Sequence, residues 1–164
     1  MNGNLVWVGM GEARAGRPGQ EMAALLGSCV AIVLVWLEVS QCCGLAHCLL
    51  PHSDQPGWKL GARYVNHAVP ALLAQMGVRR KQLGEVQAIV TGGANMLGGA
   101  GVYSGVGTQN VEQAERCLQA QGLQVVRREV GGRRGRTVRI DCTTYCVSIA
   151  KVERQAEELE YASL

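Results

Sequence analysis

The sequence predicts a mixed α+β fold built on layered β-sheet, and three observations carry that prediction. Short apolar runs rich in β-branched residues recur along the chain between glycine-containing turns. Only two stretches show the 3.6-residue periodicity of amphipathic helices. The strands come in runs and do not alternate one for one with helices, which disfavours a doubly wound nucleotide fold made of βαβ units. The frame is an ordinary globular chain of 164 residues, 48% apolar and 18% charged, so disorder is excluded. No repeat, low-complexity tract or hydrophilic linker divides it, and one domain over residues 1–164 is expected, with about 152–164 as a peripheral tail.

In chain order, residues 5–8 form a short apolar strand ending at Gly9 and Gly11, and residues 13–19, with Pro18 and Gly19, read as a loop. Residues 21–26 lead into a turn at Gly27 and Ser28. The run Val30, Ile32, Val33 and Val35 then reads as a strand buried on both faces. Residues 43–50 make another strand, closed by Pro51 because proline cannot donate to a central ladder. Over 62–76, apolar Val65, Ala68, Val69, Leu72, Leu73 and Met76 fall on one helical face that Gly77 ends, with Pro70 predicting a kink or a late start. Residues 86–90 are a strand, 111–121 a second amphipathic helix ending at Gly122, and 123–130, 136–142 and 146–151 complete the strands. Residues 152–164, polar and Glu-rich, read as a loose terminal helix.

A chain of this length buries roughly 70% of its unfolded surface, enough for a core without disulfide staples. Its seven cysteines, an odd number, therefore call for another explanation. Residues 1–9 lack the cationic segment, long apolar run and cleavage site of a signal peptide, so a cytoplasmic location with reduced thiols is expected. The longest apolar run, residues 29–37, is about half of the roughly 20 residues a bilayer requires, and no membrane insertion is expected. The net charge is +3, and Arg127, Arg128, Arg133, Arg134, Arg136 and Arg139 crowd into one stretch. They form either an anionic recognition patch or the solvated face of a strand. Nucleic acid is not an expected partner, because the cluster lacks neighbouring aromatic side chains and a recognisable binding motif.

Three chemistries compete for the remaining residues. The glycine-rich stretch 92–107 contains neither a P-loop nor a complete dinucleotide fingerprint, and reads as a loop needing positive φ. Cys42, Cys43, His47 and Cys48 are zinc-ligand types, but on a strand Cys43 and His47 share one face while Cys42 and Cys48 share the other. Positions four apart on a strand are separated by roughly 13 Å, too far for one zinc, so no metal is expected. The third chemistry is nucleophilic: Cys29 follows a Gly-Ser turn where backbone N–H groups can face an oxyanion, and His47 lies in the next strand. Against it, free cysteine is commonly an inert core residue.

Six blocks then carry a family pattern. Leu26-Gly27-Ser28-Cys29-Val30-Ala31, Gly44-Leu45-Ala46-His47-Cys48-Leu49-Leu50-Pro51, Arg63-Tyr64, Gly92-Gly93-Ala94-Asn95-Met96, Gly107-Thr108-Gln109-Asn110-Val111 and Gly131-Gly132-Arg133-Arg134-Gly135-Arg136 occur in the order seen in CheD. The chain thus resembles the CheD family of bacterial chemoreceptor glutamine deamidases from Val8-Gly9-Met10-Gly11-Glu12 to about Lys151. The resemblance implies a layered mixed β-sheet sandwich with helices on one face, like the catalytic domain of the deamidating cytotoxic necrotizing factors. It implies hydrolysis of chemoreceptor glutamine side chains to glutamate with no cofactor, Cys29 matching the family's nucleophile and His47 its catalytic histidine. The backbone N–H of Cys29, with a donor from the Gly93 loop, would hold the oxyanion. Ser28, Gly93, Asn95, Arg133 and Arg136 are the expected substrate contacts.

One position departs from the pattern. The family places a Thr six residues before the cysteine to orient the imidazole, and here Ala23 stands there. Either a backbone carbonyl near Ala23 accepts the imidazole N–H, or the enzyme is slow, or the chain has lost activity and only binds. The resemblance further implies chemoreceptor cytoplasmic helices as protein substrate and CheC as a partner. The competing class is a weak or inactive adaptor that binds chemoreceptors or CheC.

Overall fold

The computed structural model describes residues 4–38, 42–57, 61–96, 98 and 105–153. Strands β1 (Asn4–Trp7), β3 (Gln20–Leu26), β8 (Arg136–Asp141) and β9 (Val147–Lys151) form one sheet in the order β1-β3-β8-β9. Strands β2 (Ala13–Gly16), β5 (Cys42–Cys48), β4 (Val30–Trp36), β6 (Val86–Gly92) and β7 (Gln124–Val130) form the other in the order β2-β5-β4-β6-β7. Both sheets are mixed, because β1 runs parallel to β3 and β6 parallel to β7 while the remaining neighbours are antiparallel. Helices α1 (Val65–Met76) and α2 (Val106–Ala120) cover the outer face of the five-stranded sheet. The result is a sandwich with helices on one side, and no helix among the described residues is long and apolar enough to cross a membrane.

Strand β4 shows why the layers form. Its sequence is apolar throughout, and every residue is buried. Val30, Ile32, Leu34 and Trp36 pack under the helices, whereas Ala31, Val33 and Val35 pack against the other sheet with Met22, Leu45, Val138 and Ile140. A strand that alternates its side chains between two cores has to be apolar on both faces. Each large aliphatic side chain so buried stabilises the fold by roughly 1.5–3 kcal/mol.

The structure corrects several boundaries and one assignment. Residues 13–16 are not a loop but an edge strand, paired antiparallel to β5 through Ala13↔Ala46 and Gly16↔Cys43. Its Ala, Arg and Gly residues carry no β-branched signal, and its ladder is supplied by β5. Helix α1 begins at Val65, not at residue 62, and runs through Pro70 to Gly77, whose φ of 72° places it in the left-handed cap. Helix α2 begins at Val106, because its first turn is polar and hides from a hydrophobic pattern. Strand β6 extends two residues beyond residue 90 to Gly92. Of the predicted terminal helix, residues 154–164 lie outside the described residues, and Val152 and Glu153 are not helical.

Candidate active site

Cys29 immediately precedes strand β4, and three consecutive carbonyls around that residue are tied down. Gly27 O accepts from Ala94 N–H at 3.0 Å, Ser28 O from the Asn110 side-chain Nδ2 at 3.0 Å, and Cys29 O from Gly93 N–H at 2.7 Å. Gly92 and Gly93 adopt φ of 100° and 64°, a left-handed doublet that any side chain would strain and that turns the chain tightly beside Cys29. The first turn of α2 presses on the same doublet. A Cβ on Gly107 would lie 2.6 Å from the carbonyl oxygens of both Gly93 and Ala94, so only glycine permits that approach.

His47 lies on β5, the antiparallel neighbour of β4. Ala31 stands opposite His47 and Val30 opposite Cys48. Cys29 packs in the core between the sheets with Ala31, which puts it on the His47 face one diagonal step away, where neighbours are roughly 7–8 Å apart and their Cβ atoms somewhat closer. Cys29 retains 9% of its surface and His47 3%. The imidazole Nδ1 lies 3.0 Å from the carbonyl of Val8. A carbonyl only accepts, so Nδ1 carries the proton and Nε2 presents its lone pair. That Nε2 is buried without a hydrogen-bond partner. The backbone at His47 is held as well: its carbonyl accepts from Gly11 N–H at 2.8 Å and its N–H donates to Glu12 O at 2.9 Å.

Burial sets the protonation of both groups. It pushes the Cys29 thiol up, an effect that the residue's own backbone N–H partly offsets. It also pushes the His47 imidazole down, against the opposing pull of the Val8 carbonyl and the Glu12 carboxylate. Both directions work against a preformed thiolate and imidazolium.

The carbonyl facing the imidazole is thus not the one expected at Ala23. Ala23 O accepts the N–H of Val8 at 2.8 Å, and Val8 in turn supplies the acceptor for His47. The Ala23 side chain faces away from the site, since Met22, Ala24 and Leu26 line the core between the sheets and Ala23 alternates to the outer face, opposite Trp7 in the ladder. The Gly93 loop likewise differs from expectation: its N–H is taken by the Cys29 carbonyl and is not available to an oxyanion.

Arg136 is a further correction. It is 5% exposed, and its Nη1 donates to Gly131 O at 2.7 Å, closing the turn between β7 and β8, so it is no surface contact. Ser28 is exposed at the turn before Cys29. Asn95 is exposed beside it, with its N–H on Gly132 O at 2.8 Å, so it borders the turn that carries exposed Arg133. The rest of the arginine cluster is dispersed. Arg127 binds Glu129 and Val147 O, Arg128 pairs with Glu115, and Arg139 pairs with Glu21 at 2.9 Å and lies over the Trp7 ring. Among the described residues no three His, Cys, Asp or Glu side chains are grouped to hold a metal ion. Val8 and Asn110 are the contributors that the sequence reading did not assign to the site. A carbonyl leaves no side-chain signal, and Asn110 stood only within the Gly107-Thr108-Gln109-Asn110-Val111 block.

Comparison with known proteins adds to this geometry. Residues 49–151, more than half of the chain, match the family model described as CheD chemotactic sensory transduction. A protein of Bdellovibrio bacteriovorus named "Probable chemoreceptor glutamine deamidase CheD" is 36% identical over 135 residues, covering 81% of this chain and 86% of the relative. Proteins of the same name from Methanococcus maripaludis strain C5 and Thermococcus kodakarensis are 33% and 35% identical, covering 88% and 90% of this chain and 93% and 92% of the relatives. Among solved structures, Bacillus licheniformis hypothetical protein YfiH aligns with a TM-score of 0.45 at 16% identity, over 73% of this chain and 49% of that one.

Proposed function

Since this chain belongs to the CheD family, we propose that it is a protein-glutamine deamidase that converts glutamine side chains of chemoreceptor cytoplasmic helices to glutamate in chemotaxis. The observation that carries the reading is the imidazole of His47: one nitrogen is fixed on the Val8 carbonyl, and the other is unpartnered on the face that Cys29 shares. As Cys29 Sγ attacks the side-chain carbonyl carbon, His47 Nε2 takes the thiol proton. The tetrahedral oxyanion is held by the Cys29 N–H. The imidazolium then protonates the departing ammonia, which leaves a thioester. Nε2 next draws a proton from water, whose oxygen attacks the thioester carbon, and the collapse releases glutamate and restores the thiol. Ser28, Asn95 and Arg133 border this centre and contact the substrate helix in this reading.

The same reading treats residues 1–164 as one deamidase domain in the cytoplasm, similar in layout to the catalytic domain of the deamidating toxins, with CheC as a binding partner. The Val8 carbonyl does the orienting work that the family assigns to Thr, so Ala23 is no obstacle to turnover. The test is to incubate receptor cytoplasmic fragments with wild type, Cys29→Ala and His47→Ala, and to read glutamine-to-glutamate conversion by mass spectrometry. Conversion by wild type and a loss of at least about 1,000-fold in each variant are expected. Equal conversion by Cys29→Ala would remove the nucleophile assignment, and no conversion by wild type would favour the adaptor reading.

A further inference from the structure

The carbonyl and the N–H of one peptide unit point in opposite directions because the unit is planar and trans. The unit joining Ser28 to Cys29 therefore has its N–H, that of Cys29, directed away from whatever holds the Ser28 carbonyl. What holds it is the Asn110 amide on the first turn of α2. The neighbouring carbonyls of Gly27 and Cys29 are fixed by the backbone of Ala94 and Gly93. With its flanks anchored, this unit retains one easy motion, a flip that exchanges its carbonyl and N–H while leaving the flanking Cα atoms in place. A bond to the Ser28 carbonyl blocks it.

The chemistry of Asn110 suits that task. The two hydrogens of its Nδ2 go to two acceptors, Ser28 O at 3.0 Å and Leu49 O at 2.9 Å, so one amide ties the turn of Cys29 to the strand of His47. Both partners are carbonyls, which fixes which end of the amide faces them. Its Oδ1 is left buried without a hydrogen-bond partner. A side chain present only to fill space would leave no such orphan; this one is arranged around its nitrogen. The close seat of Gly107 on Gly93 and Ala94 delivers Asn110 to that point.

We propose that Asn110 is a positioning residue for the deamidation: it locks the Ser28–Cys29 peptide so that the Cys29 N–H faces the oxyanion formed from the substrate amide. The proposal rests on Cys29 being the nucleophile. The same N–H also acts on the Cys29 sulfur and favours its thiolate, which supplies a readout separate from folding.

The experiment compares full-length wild type, Asn110→Ala and Asn110→Ser on a receptor fragment for kcat and KM. It also follows iodoacetamide alkylation of the Cys29 peptide against pH. For Asn110→Ala, a fall in kcat of about 100-fold is expected with KM within about threefold, as for loss of one oxyanion donor. Its alkylation profile shifts to higher pH, and Asn110→Ser, which keeps one donor for the Ser28 carbonyl, recovers part of both. A kcat within threefold of wild type overturns the proposal, as does a loss that tracks the unfolded fraction with an unshifted alkylation profile. If Asn110→Ala does not fold, the isosteric pair Asn110→Thr and Asn110→Val decides: Thr, with its hydroxyl donor, has to exceed Val in kcat by about tenfold. If Cys29→Ala deamidates like wild type, the nucleophile reading falls and this proposal with it. If Cys29→Ala is inactive while Asn110→Ala turns over normally, only this proposal falls.

Discussion

His47 shows how a single side chain is prepared by groups that are not side chains. The Val8 carbonyl selects its tautomer, and burial pushes its pKa down. In the proposed mechanism the neutral imidazole accepts the thiol proton, so the rate is expected to rise with pH as His47 loses its proton. That limb lies below the ordinary histidine value of about 6.5. A pH profile of kcat/KM on a receptor fragment is expected to show the acid limb below pH 6.5; a limb at pH 7 or above would contradict a neutral resting base. The same shift has a stability consequence with a definite sign. Below pH 6.5 the unfolded chain binds a proton at His47 more readily than the folded one, so this contribution is complete above 6.5 and is lost as pH falls through the lowered value. At this scale the sequence offered Cys29 and His47 as candidates, because the chemistry proposed for them resides in their side chains. It was silent on Val8, since any residue type offers the same carbonyl.

At the level of elements, the site is a register and a seat. The antiparallel ladder of β4 and β5 brings Ala31 opposite His47 and so sets Cys29 one step away on the same face; a slip of one residue would turn the histidine to the helices. The seat is the first turn of α2 against Gly93 and Ala94. Gly107→Ala puts a methyl 2.6 Å from two carbonyl oxygens, and backbone atoms cannot rotate aside. A loss of roughly 1–3 kcal/mol in urea denaturation is expected, with kcat falling further than the folded fraction because the displaced turn carries Asn110. Unchanged kcat in the folded fraction would mean that α2 does not support the nucleophile turn. Strand β4 and the cores of both helices were legible as apolar runs and periodicities. Edge strand β2 and the polar start of α2 were not, since each is specified by the element it packs on.

Across the whole molecule, the two hydrophobic layers have different duties. Leu34 and Leu45 are both fully buried, but Leu34 lies under the helices whereas Leu45 lies between the sheets, two residues before His47 on its face. Truncating either to alanine is expected to destabilise the fold by about 2–5 kcal/mol. Only Leu45→Ala is expected to lower kcat of the folded protein, by several-fold, because the cavity it leaves adjoins the imidazole. Equal kcat for the two variants would show that the site is insulated from the layer beneath it. The layering itself was determined by the sequence alone, because burial of apolar residues at period two and period 3.6 admits few other arrangements, and the ordered motifs singled out Cys29 and His47 within it as candidates. What the tertiary structure decided was which backbone groups surround them. It set Val8 against the imidazole and Asn110 against the Ser28 carbonyl, took the Gly93 N–H out of play and withdrew Arg136 from the surface. Hydrogen bonds between segments far apart in the chain depend on the distance and direction of groups that every residue possesses, and neither quantity is written in residue type.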